Sequence, residues 1–210
     1  MTQARGAARR EEIVLAAAEE FDELGYAASS LSSIAARLDR TKGAMSYHFS
    51  AKEQLARELV VRHNGQWGEV LDRIRADGLI GLEAMVLLSF IVAARFRDDV
   101  LVRAAVRLQH DAGLRDVDLP TPFVGWTKIT LDLLTEAGAS VTLPSGLDLP
   151  GAAEVLVEAF TGLQQVAHRL TGARDIHARV ERYWLLVLPG LGVADPKQLV
   201  TRLRAESQRY

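Results

Sequence analysis

The stretch Leu31–Leu55, LSSIAARLDRTKGAMSYHFSAKEQL, decides how this chain folds. Between Lys42 and His48 it carries a lysine, a glycine, a serine, a tyrosine and a histidine, too polar a set for a core. Met45, Phe49 and Leu55 nevertheless keep a helical apolar rhythm through it. Just ahead, SSLSSIAARLDR reads as a short helix capped by Ser30, with Leu31, Ile34, Ala35 and Leu38 facing inward. Only Asp39 and Arg40 separate it from Thr41, the expected N-cap of the next helix. Ser50 and Glu53 have the S-x-x-E spacing of a capping box, which opens a long helix from about 50 to 75. Two short helices joined by so tight a turn have the layout of a helix-turn-helix, whose second helix enters the major groove of DNA.

The chemistry of that second helix suits the role. Lys42 can reach a guanine edge or a phosphate. Gly43 lets the backbone come close to DNA, and Ser46, Tyr47 and His48 can donate to phosphate oxygens, which fixes register without reading bases. Met45 and Phe49 turn the other way, toward Ile34 and Leu38. Ser30, Arg40, Thr41, Lys42, Gly43, Ser46, Tyr47, His48 and Lys52 are therefore the candidate DNA contacts.

Upstream, EEIVLAAAEEFDELGY is apolar at Ile13, Val14, Ala17, Ala18, Phe21 and Leu24, a helical stripe ended by Gly25. Its acidic stretch at 19 to 23 reads as a solvated face. Downstream the period remains helical: IGLEAMVLLSFIVAARFRD, VLVRAAVRLQHD, VGWTKITLDLLTEAGAS, AAEVLVEAFTGLQQVAHRL, IHARVERYWLLVLPGL and a short tail helix near 196 to 206. DLPTPF is a loop, since its two prolines bar a continuous helix, and VTLPSGLDLPG is the longest loop. No alternating strand pattern of useful length, internal repeat or low-complexity segment interrupts them. The expected fold is all-α.

The 210 residues are 49% apolar and 25% charged, the balance of a globular protein. The absence of cysteine excludes disulfides and thiolate metal sites. No apolar signal-peptide core opens the chain, and its apolar runs are too short to span a bilayer, so a cytoplasmic soluble protein is expected. The net charge of −2 hides an uneven distribution. Within the first 52 residues, bases gather at Arg5, Arg9 and Arg10 and again at Arg37, Arg40, Lys42 and Lys52, while acids crowd positions 11 to 23. One face of a neutral segment can thus be basic. No nucleophile motif, phosphate loop or carboxylate pair points to an enzyme, and no cofactor or metal is expected; His110, His168 and His177 lack metal-ligand spacing.

Leu31–Leu55 resembles the DNA-binding segment of TetR-type transcriptional repressors. TKGA, followed by HF and KE-L, is similar in particular to the γ-butyrolactone autoregulator receptors of actinomycetes. RAAVRLQ at 103 to 109 and LPTPFVGWTKI at 119 to 129, with Trp126, look like the core of that subgroup, and the resemblance runs from about residue 8 to 190. Two positions depart from it. Leu38-Asp39-Arg40 stands where relatives place a small residue, glycine and valine, and glycine suits a left-handed turn better than aspartate does. Ser46 stands where relatives place a phosphate-contacting tyrosine, while Tyr47 comes one position later, about 100° around the helix.

The resemblance implies a helix-turn-helix domain at 1–52, a ligand-binding and dimerisation domain at 53–210, and a homodimer. It also implies a repressor that binds double-stranded operator DNA and is released by a small diffusible signal such as a γ-butyrolactone, butenolide or furan. The helix at 152–170 is apolar at Val155, Leu156, Ala159, Phe160, Leu163, Val166 and Leu170, a stripe wide enough to serve its own subunit and a partner. With the helix at 177–191 it is expected to build the dimer interface. Polar residues set into apolar helices mark the signal site: His63, Trp67, Gln109, Trp126, Thr130, Thr161 and Gln164, with Trp126 as a wall and Thr130 and Thr161 as donors. Because of Asp39 and Ser46, the alternative is a dimer that keeps the fold and binds the signal but binds DNA weakly.

Overall fold

The computed structural model describes residues 2–39, 41–115, 117–138 and 141–210. Its helices are α1 Thr2–Leu24, α2 Leu31–Arg37, α3 Lys42–Ser46, α4 Lys52–Ala76, α5 Gly81–Asp98, α6 Val100–Gln109, α7 Val124–Ala137, α8 Leu149–Thr171, α9 Ile176–Val187 and α10 Pro196–Glu206. Among the described residues there is no strand, as the periodicity implied. The chain packs as two compact units, Met1–Gln66 with Asp99–Thr121, and Trp67–Asp98 with Pro122–Tyr210. The boundary expected at 52/53 lies inside the first of them.

In the first unit, α1 turns Ile13, Val14, Ala17, Ala18 and Phe21 inward, meeting Ile34 and Ala35 of α2, Met45 and Phe49, and Leu55, Ala56, Leu59 and Val60 of α4. Ala104 and Leu108 of α6 close the same core. Burying Met45 and Phe49 contributes about 1.5–3 kcal/mol each, enough to hold a five-residue helix that could not stand alone. Gly25 ends α1 at φ +80°, its N–H bonded to the Phe21 carbonyl at 3.0 Å. A Cβ there would also crowd the Arg107 guanidinium, which reaches the Asp22 carbonyl.

Three local expectations are corrected. α1 begins at Thr2, well before Glu11, because Ala and Arg propagate a helix without any apolar rhythm. The Ser50–Glu53 capping box does not form. Instead α4 starts at Lys52, the Ser50 N–H donates to Gln54 Oε1 at 2.9 Å, and Glu53 accepts the Tyr26 hydroxyl at 2.9 Å. The acidic stretch at 19 to 23 is not a plain solvated face. Glu20 is only 2% exposed and pairs with Arg37, Glu23 shares the same guanidinium, and Asp22 takes Arg103 at 2.9 Å.

The second unit is organised around α5, whose residues from Gly81 to Ala93 are buried almost all round. A helix apolar on every side needs neighbours on every side, and α7, α9 and α10 supply them, with α8 laid on α7 and α9. Ser89, a polar residue inside this core, accepts the Trp184 indole N–H at 2.7 Å. Gly81 sits at φ +55°, and a Cβ on it would lie 2.8 Å from Ala137 Cα, so only glycine fits. Pro150 opens α8 and Gly172, at φ +61°, closes it. The tail helix stands where the sequence placed it.

Candidate functional site

Ser30 caps α2: its Oγ accepts the Ser33 N–H at 3.0 Å, and the Ser33 Oγ accepts the Ser30 N–H at 2.9 Å. This reciprocal box fixes where α2 begins. Arg37, at its other end, is anchored to Glu20 and Glu23 on α1. The Glu20 carboxyl resists ionisation because it is buried, but the Ser33 hydroxyl and the Arg37 guanidinium outweigh this and hold it below the usual carboxylate range. Asp39 then takes φ +51°, the left-handed conformation that lets the chain reverse within the turn. Arg40 lies outside the described residues, as does the side chain of Lys42, which opens α3.

From this turn α3 runs only to Ser46, short of the helical rhythm expected through Phe49, and α3 with the turn after it divides into two sides as the sequence implied. Met45 and Phe49 are buried, while Thr41, Gly43, Ser46 and Tyr47 are exposed and His48 is half-buried. Tyr47 is 87% exposed, with its ring edge-on to His48 at 5.2 Å between centroids. So exposed an aromatic contributes little packing to the fold where it stands.

Lys52 is placed differently. Its ammonium donates to the carbonyls of Tyr26 and Ser29, at 2.9 and 3.1 Å, and lies 4.1 Å from the centroid of the Tyr26 ring. It ties the α1–α2 turn to the start of α4. Burial and the Glu53 carboxylate push the Tyr26 phenol well above its ordinary range.

A second group of charges escaped the sequence reading. Arg10 of α1 grips Glu58 of α4 with two hydrogen bonds of 3.0 and 2.8 Å, and its guanidinium also lies over the Phe49 ring, 4.9 Å from the centroid. Arg62 takes the same Glu58 at 2.6 Å and both oxygens of Glu11, at 2.8 and 2.7 Å. Arg10, with Arg62 in support, holds the Glu58 carboxyl below its usual range despite its partial burial. Only the i,i+4 spacing of Glu58 and Arg62 was visible locally.

The candidate signal-binding residues divide between the units. His63 and Gln109 belong to the first. His63 is 4% exposed, and burial pushes its imidazole down to about 4, with Asp99 opposing weakly. Gln109 donates to Asn64 Oδ1 at 3.0 Å. The other five belong to the second unit. Trp67 is buried with its ring 5.3 Å from that of half-buried Trp126, and the Arg95 guanidinium lies 5.5 Å from the Trp67 ring. Thr130, one turn beyond Trp126 on α7, is buried, as is Gln164 on α8. Thr161 donates to its own helix, at the Val157 carbonyl, 2.8 Å away, so donation to a ligand requires the hydroxyl to rotate. The structure thus brings Trp67 and Trp126 together and adds Arg95, which the sequence reading missed.

On the same unit, α8 leaves Val155, Val166 and Leu170 exposed, the last at 70%, and α9 leaves Leu186 exposed at 81%. Among the described residues no group of three or more His, Asp or Glu is gathered to hold a metal, and no helix is long and apolar enough to cross a membrane.

Two families match the chain. The one described as bacterial regulatory proteins, tetR family, matches residues 13–59, and the tetracyclin repressor-like C-terminal domain matches residues 79–193. The A-factor receptor protein of Streptomyces griseus is 29% identical over 194 residues; these are 90% of this chain and 66% of that protein, so the chain spans just under two thirds of its relative. A solved γ-butyrolactone receptor, described as ArpA-like, superposes with a TM-score of 0.82 at 28% identity, over 98% of this chain and all of that one. CprB of Streptomyces coelicolor, a TetR family protein solved with its biological operator sequence, superposes with a TM-score of 0.81 at 28% identity and the same coverage.

Proposed function

The chain belongs to the tetR family of bacterial regulatory proteins, and on that footing we propose that it is a cytoplasmic, homodimeric repressor released from its operator by a γ-butyrolactone, butenolide or furan signal. The observation that carries the reading is the exposed side of α3 and the turn after it, where Tyr47 stands 87% in solvent and Met45 and Phe49 are buried. Lys42 supplies the base contact, Ser46, Tyr47 and His48 meet phosphates, and Ser30, Arg40, Thr41 and Gly43 line the approach. Lys52, engaged with the α1–α2 turn, acts by positioning.

Residues 1–52 carry the DNA function and 53–210 the signal and dimer functions. Exposed Val155, Val166, Leu170 and Leu186 support a dimer through α8 and α9, since water is a poor partner for so much apolar surface on two neighbouring helices. Within the second unit, Trp67 and Trp126 form the wall for the signal, with Thr130, Thr161 and Gln164 as its polar partners. Release follows from a population shift: the signal binds better to the conformation whose two heads no longer match the half-site spacing. α4 contributes residues to both units and carries Glu58, so a displacement of α4 acts on Arg10 and Phe49 directly.

The test is a mobility-shift assay on the promoter region of the protein's own gene. Retardation by the purified protein, reversed by a synthetic γ-butyrolactone, is the expected result. Signal binding without retardation of any promoter fragment would favour the dimer that has lost its operator. The accommodated left-handed turn at Asp39 supports the operator-binding reading instead.

A further inference from the structure

Six arginines of the first unit are held within it. Arg10 and Arg62 share Glu58, Arg37 takes Glu20 and Glu23, Arg57 takes Asp118, Arg103 takes Asp22, and Arg107 reaches the Asp22 carbonyl. Arg5 and Arg9 differ. Both are exposed, and among the described residues neither meets an acid. They stand at i and i+4, on one side of the first turns of α1, ahead of Ile13, where that helix begins to face the core. Residues 2–9 include no acid and no large apolar side chain.

We propose that Arg5 and Arg9 form a second DNA contact, taking backbone phosphates beside the stretch of duplex met by α3. The inference rests on the DNA reading of α3. Its partner is fixed by position and charge. Arg10, the next residue, lies 4.9 Å over the ring of Phe49, which directly follows Tyr47 and His48. The stretch 2–9 therefore starts beside the segment that follows α3, and Arg5 lies about 7.5 Å further along the α1 axis than Arg10. Arg5 and Arg9 are about 6 Å apart along that axis, near two nucleotide steps of about 3.4 Å each on one strand. A guanidinium left without a carboxylate offers a fork of donors that matches a phosphate. Such contacts read no sequence; they raise affinity for any duplex and steepen its loss with salt.

The experiment measures DNA affinity against salt for the full-length protein, for Arg5→Ala/Arg9→Ala and for Arg5→Lys/Arg9→Lys, on operator and scrambled duplexes. For each head that binds, the alanine variant is expected to lower the magnitude of the log–log salt slope by about 2, on both duplexes. The lysine variant should restore the slope, and melting temperatures should not move. An unchanged slope in the alanine variant would overturn the contact, including where that variant instead loses binding to vesicles of anionic lipid. A lowered melting temperature would overturn it too, by making the arginines structural. If the wild type binds duplex and only the slope prediction fails, the reading of α3 stands. If the wild type binds no DNA at any salt, both fall.

Discussion

Arg10 and Glu58, 48 positions apart in the chain, meet through two hydrogen bonds of 3.0 and 2.8 Å, and the same guanidinium rests on Phe49. One side chain therefore touches α1, α4 and the end of the DNA-facing segment. Glu58→Gln removes the charge that holds both Arg10 and Arg62. The expected loss is about 1–2 kcal/mol by urea titration at pH 7, less than for a fully buried pair because these groups are part-exposed. The folded carboxyl lies below its unfolded value of about 4.3, so the wild type has this stability above that pH and loses it as pH falls through the folded value. The difference between wild type and variant should thus be full at pH 7 and shrink once the pH falls below about 4.3. A constant difference would remove the ion pair from the account.

His63 gives a different window. Its folded value of about 4 lies below the ordinary 6.5, so the unfolded chain binds the extra proton between them. Stability from neutral His63 is complete above about pH 6.5 and declines as pH falls toward 4, by about 3 kcal/mol at the limit. His63→Gln should flatten the stability profile in that interval while leaving the Glu58 effect below it. The check is a set of urea midpoints from pH 7.5 to 4; identical profiles would place His63 in water.

Asp39 holds a left-handed turn that glycine adopts without a Cβ penalty. Asp39→Gly should raise stability by up to about 1 kcal/mol, and Asp39→Val should lower it by more. Thermal melts of the two variants decide the sign. A loss with glycine would show that the Asp39 side chain itself supports the turn.

Trp126→Ala should blunt release by the signal and leave operator binding nearly intact, since the ring is only half-buried and lies in the second unit. Trp67→Ala, at a fully buried site, should cost about 3–5 kcal/mol of stability. Release assays and urea titrations on both variants separate ligand wall from core. Equal destabilisation by the two changes would make Trp126 core.

What the sequence disclosed was what local pattern encodes. Ser30 capping α2, the apolar pair Met45 and Phe49, the proline loop before α7 and the start of α10 are all written within a few residues of where they act. The early part of α1 was illegible because Ala and Arg at 2–10 carry no periodicity, and a helix there depends on propagation from the packed turns after Ile13. The Ser50 cap failed because Tyr26, from a distant turn, claims Glu53. Glu20 read as solvated because its partner Arg37 is on another helix, and Lys52 read as a DNA contact because nothing local shows two carbonyls waiting for it. Long-range charge pairs leave no periodic trace.

The most direct test of the central claim, that the exposed side of α3 and the turn after it binds DNA, is a titration of wild type and Tyr47→Ala against operator and scrambled duplexes beside a thermal melt. Tyr47 touches solvent over 87% of its surface, so the melt should be unchanged. Affinity for both duplexes should fall by the value of one phosphate hydrogen bond, about 0.5–1.5 kcal/mol. Unchanged affinity with an unchanged melt would contradict the account.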